Sequence, residues 1–124
     1  MAFIGGNTSS TFVSGTFTSE SLKSETRDYV TGSVVSNEAG SLYIQQSLDG
    51  VNWDVQNYTY SKLVSAIGNN TAIPVGTGTT EGTGTGFIEQ IILPYWRVKF
   101  TATSGTKPTT FRLHARTSNA GVKY

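Results

Sequence analysis

The chain has 124 residues, no cysteine, one histidine and a formal net charge of +1, with 14% of its residues charged. A chain of this length fits a single domain, burying roughly two thirds of the surface its unfolded form exposes. The charge excludes a basic stripe for a phosphate backbone, and the missing thiols exclude disulfides, thiolate metal sites and cysteine nucleophiles.

The opening residues Met1-Ala2-Phe3-Ile4-Gly5-Gly6 lack the basic start and long apolar stretch of a signal peptide. No apolar run reaches the ~18 residues that a membrane helix needs, so the expected product is cytoplasmic. Residues 1–10 show no period that places them in a core strand, and they are expected as an N-terminal arm. Residues 11–124 are expected as one β domain, because Thr, Val and aromatic side chains suit a pleated, half-buried surface.

A short β run opens at Thr11, with Phe12, Ser14 and Thr16 on one face and Val13, Gly15 and Phe17 on the other. The polar stretch 18–28 reads as a connection or a solvated edge strand. Tyr29 to Ser36 forms the next strand. Asn37 to Gly40 follows as a turn, where Gly40 can take a positive φ without steric cost. Ser41 to Ser47 then alternates Leu42, Ile44 and Gln46 against Tyr43 and Gln45.

Asp49-Gly50 lies between two β-like runs and predicts a tight hairpin. Trp53 enters the returning strand, where its ring can cover one end of a core, and Val55, Asn57 and Thr59 continue the alternation. Residues 60–67 fit a short helix or an edge strand. The Thr/Gly stretch at 76–86 has the composition of a long flexible loop.

Phe87 to Leu93 is strand-like, and Pro94 marks a corner because it cannot donate to a central ladder. Tyr95 to Ala102 sets Trp96, Val98 and Phe100 toward a core and Tyr95, Arg97 and Lys99 away from it. After a turn at 104–108, Phe111, Leu113 and Ala115 face inward and Thr110, Arg112, His114 and Arg116 outward. The pattern predicts an all-β, antiparallel sandwich, Ig-like or jelly-roll-like, of about 7–8 strands. Its fold-defining residues are Asp49, Gly50, Trp53, Trp96, Val98 and Phe100.

Reactive groups are sparse. His114 reads as a solvated strand residue, since one histidine supplies neither a His-rich metal site nor a two-histidine relay. Asp49 and Asp54 match a glycosidase pair or a calcium site only loosely, and their turn context explains both more simply. The Thr/Gly stretch carries no lysine where a phosphate-binding loop needs one. The expectation is therefore a protein without enzymatic activity, cofactor, metal site, nucleic-acid partner or membrane partner. Tyr43, Tyr58, Tyr60, Tyr95 and Trp53 read either as anchors or as a platform for sugar rings.

The run Gly40 to Asp54, with its Ser-Leu-Asp-Gly-Val-Asn-Trp turn, followed by Pro94 to Phe100 and Thr110 to Leu113, resembles a family of small β-sandwich structural proteins of tailed-phage virions. The likeness covers residues 29–59 and 86–117. It implies a capsid decoration (cement) protein, a head fibre, or a tail or baseplate accessory domain, located in the virion. Its partners would be the major capsid protein or other virion proteins, and it would be a homo-oligomer. By this analogy the contacts fall on the arm, at Phe3 and Ile4, and on the loop, at Thr79, Glu81 and Thr83. A carbohydrate-binding β-sandwich module is the alternative, with glycan as the partner.

Overall fold

The computed structural model of the chain describes residues 3–7, 12–57 and 72–119, with side chains for all but the first of these segments. Among the described residues there are eleven strands and no helix. They are β1 (Phe3–Asn7), β2 (Phe12–Val13), β3 (Thr16–Thr18), β4 (Leu22–Lys23), β5 (Tyr29–Ser36), β6 (Gly40–Ser47), β7 (Val55–Gln56), β8 (Ile73–Val75), β9 (Thr85–Gln90), β10 (Tyr95–Ala102) and β11 (Phe111–Ser118).

The strands pair antiparallel in two sheets, one of four strands in the order β1-β11-β5-β9, the other of seven in the order β2-β3-β10-β6-β7. In the larger sheet β4 also pairs β10, and β8 also pairs β6. The fold is an all-β sandwich, as the alternation predicts. The strand count exceeds 7–8 because four of the strands are only two residues long or lie in segments with too little alternation to read, such as β4 within the polar stretch.

Period-2 patterning is obeyed most strictly on β10 and β11. Trp96, Val98 and Phe100 from one, and Phe111, Leu113 and Ala115 from the other, are at most 1% exposed and meet between the sheets. Phe12, Phe17, Phe100 and Phe111 form an aromatic cluster at one end, with Phe12 edge-on to Phe111 at 4.9 Å between centroids. Such tilted and edge-on pairs add to the area the rings bury.

Several local expectations change. Residues 12–17 are not one strand: Ser14, at φ 54°, turns the chain back so that Phe12 faces Phe17 across a tight hairpin. Gly40 is not a positive-φ turn residue but the first residue of β6. Its hydrogen side lies against β10, where an added Cβ would sit 2.4 Å from the Thr101 carbonyl oxygen. Close backbone approach, rather than φ, requires glycine there.

Of the segment expected as an arm, the described residues 3–7 pair as β1 with β11, Phe3 opposite Arg116 and Asn7 opposite Arg112. Backbone pairing needs no side-chain period, which is why Gly5 and Gly6 concealed it. Within the Thr/Gly stretch, Gly78 bridges Ser36, a turn joins Thr80 to Thr83, and Thr85 and Gly86 already belong to β9. The loop is therefore hydrogen-bonded structure at several points. The undecided segment 60–67 lies outside the described residues, as do Tyr58, Thr59 and Tyr60.

Gln46 ties the two sheets. It points inward with Leu42 and Ile44 and is fully buried. Its amide donates to the Gln90 carbonyl at 2.9 Å and accepts from the backbone N–H groups of Ile92 and Leu93 at 2.8 and 3.2 Å. A buried amide with both ends satisfied fixes the β9–β10 connection against β6.

Candidate functional site

The loop 48–54 stands at the end of β6 and is wider than the tight hairpin expected of Asp49-Gly50, because pairing resumes only at Gln46 with Val55. Asp49 builds it. Its carboxylate accepts from the N–H groups of Val51 and Asn52, each at 2.8 Å, from the Asn52 side-chain amide at 2.7 Å and from the Ser47 hydroxyl at 2.9 Å. These donors hold its pKa well below the usual carboxylate range, the two backbone amides among them. Both of its oxygens are thus engaged in the turn. Gly50, at φ 78°, then passes over the ring of Tyr95, which an added Cβ would approach to 3.6 Å.

Trp53 is half-buried in this loop rather than within the returning strand, and it does not cover an end of the core. Its ring instead receives Arg97, whose Cζ lies 4.3 Å from the ring centroid. Arg97 Nε donates to Gln45 Oε1 at 2.7 Å, and Gln45 Nε2 donates to Gln56 Oε1 at 2.7 Å. The chain of contacts runs across three strands, from β10 to β6 to β7.

Register explains the convergence. Tyr95 faces Ser47, Arg97 faces Gln45, and Lys99 faces Tyr43, while Lys23 on β4 faces Tyr95 from the other side. Alternation therefore puts Tyr95, Arg97, Lys99, Tyr43 and Gln45 on the outer face of the seven-stranded sheet. Of the aromatic platform expected from sequence, Trp53, Tyr43 and Tyr95 gather here. Partial removal from water lowers the Arg97 pKa.

The expected contact residues are not gathered. Phe3 and Ile4 lie on β1, opposite Arg116 and Ala115. Thr79 and Thr83 line an open cleft of about 330 Å³ with Asn37, Thr77, Gly78 and Thr80, and Glu81 lies at the exposed tip of the turn beside it. The cleft precedes β9, so the arm and the loop serve opposite edges of the four-stranded sheet.

His114 is exposed on the outer face of that sheet, opposite Ser33. Among the described residues no three His, Asp or Glu side chains gather to hold a metal ion. No helix of the described residues is long and apolar enough to cross a membrane.

No protein-family model and no curated protein matches the chain. Among solved structures it is similar to the PBSX exported protein XepA, with a TM-score of 0.67 and 12% sequence identity. The likeness covers 98% of this chain and 39% of that one. It shows a shared β-sandwich fold, and the chain spans about two fifths of the length of the protein it matches.

Proposed function

We propose that the chain is a non-enzymatic, phage-associated structural protein that decorates an assembled capsid as a symmetric homo-oligomer. The observation that carries this reading is the fold likeness to XepA, a phage-related protein, over nearly the whole chain. The phage-virion resemblance of the Ser47 to Trp53 turn and the Tyr95 to Phe100 strand supports it from the sequence side. Work of this kind needs surfaces rather than a pocket; β1 is an edge strand of the four-stranded sheet, and the Thr79 to Thr83 turn is exposed.

Particles purified by density gradient from a producing strain test the reading. Stoichiometric cosedimentation of the chain with capsids, and a single oligomeric state by light scattering, are the expected results. The exported status of XepA favours a second reading, a phage-encoded protein acting away from the particle. Recovery of the chain wholly outside the particle fraction would establish that reading and overturn the first.

A further inference from the structure

Arg97 is a half-buried cation held in one orientation, its plane set by Trp53 and its Nε by Gln45. The described residues include all eight Asp and Glu side chains of the sequence, and none pairs with it; its two terminal nitrogens meet no acceptor among them. Seven of the eight carboxylates lie in connections between strands, and the eighth, Glu89, is half-buried on β9 in the other sheet. Lys23 and Lys99 flank Arg97 on the same face, so three cations share it without an acidic residue on any of its strands.

A fixed guanidinium with its terminal nitrogens free is shaped for a carboxylate, which it can hold with two parallel hydrogen bonds. The ring of Trp53 lies against Arg97, and Tyr43 is the register partner of Lys99 on the same outer face. Aromatic surface with a few placed polar groups suits the apolar ring faces and hydroxyls of a sugar. A net charge of +1 is too small to steer a phosphate polymer.

We propose that the outer face of the seven-stranded sheet, centred on Arg97, Trp53 and Lys99, binds a carboxylate-bearing saccharide. The site does not depend on the capsid reading, because particle association and saccharide binding are measured separately.

Titration of the purified chain with hexagalacturonate, followed by tryptophan emission and calorimetry, tests it. Trp96 is fully buried, so a change in emission reports Trp53. Hexagalacturonate is expected to bind, and neutral cellohexaose of the same length to bind at least about tenfold more weakly, the difference a charge-assisted hydrogen bond supplies. Arg97→Gln is expected to lose about tenfold in affinity and Lys99→Gln less, as a flanking charge without the fork would. Should Arg97→Gln fail to fold, Arg97→Lys keeps the charge while removing the fork and is expected to show the same loss. Absence of hexagalacturonate binding, equal binding of cellohexaose, undiminished binding by the folded Arg97 variant, or tighter binding of oligo(dT) would each overturn the proposal.

Discussion

One strand, β10, builds two regions of opposite character. Its inward residues, Trp96, Val98 and Phe100, are fully buried, opposite Gln46, Ile44 and Leu42 of β6. Its outward residues, Tyr95, Arg97 and Lys99, sit among amides, rings and cations. The inner region is closed to solvent, although the buried indole N–H of Trp96 has no acceptor among the described residues. The outer region gathers three cations, Lys23, Arg97 and Lys99, with no acidic residue on its described strands. A strand's two-residue period thus lets a single segment supply both the fold's stability and a surface with unspent binding capacity.

Stability measurements can break this contrast. Trp96→Ala should cost about 3–5 kcal/mol by urea unfolding, through lost burial and the cavity left behind. Arg97→Gln, one residue along, should cost less than about 1 kcal/mol. Similar losses for the two would erase the distinction between the faces.

Asn57 sharpens it next. At φ 53° and buried, it pairs twice with Ile44, its N–H to the Ile44 carbonyl at 2.9 Å and its Oδ1 from the Ile44 N–H at 2.7 Å. Asn57→Ala should cost about 1–3 kcal/mol by leaving the buried Ile44 N–H without its side-chain acceptor. An unchanged urea midpoint would mean that β6 holds its edge without this residue.

Glu89 gives a smaller, pH-dependent effect. Burial raises its pKa from 4.5 to about 7. Between those values the folded state binds more protons than the unfolded one, so stability falls as pH rises through this window and is level above it. After discounting for its partial exposure the change is about 1 kcal/mol. Glu89→Gln should flatten that slope, and a slope that persists would assign it to another group.

The smallest global effect belongs to Asp49→Ala. It removes the acceptor for Val51 and Asn52, so exchange of those two amide protons should quicken while the thermal midpoint barely moves. Protection that survives the substitution would show that Gly50 and Tyr95 alone hold the loop.

The long strands were legible from sequence because burial on one face writes alternation into them, as Leu42, Ile44 and Gln46 show on β6 and Phe111, Leu113 and Ala115 on β11. Short or backbone-only pairings were not. β1 pairs through glycines, β4 contributes two residues in a polar stretch, and the turn at Ser14 breaks what reads as one run. The site was half legible. The outward positions of Arg97 and Tyr43 followed from alternation, whereas their meeting with Gln45, Gln56 and Trp53 depends on cross-strand register and on the loop that Asp49 folds. An Asp followed three residues later by Asn was the available signal for that loop, and the Asp-Gly pair pointed to a tighter one.

Because β1 runs beside β11, with Phe3 opposite Arg116, the two extremities of the described chain are neighbours in space. A short peptide joining them, with a new opening cut at the exposed Glu81-Gly82 turn, would leave each strand beside its present neighbours. The first and last of the described strands are thus hydrogen-bonded to each other in the sheet opposite the one that carries Arg97.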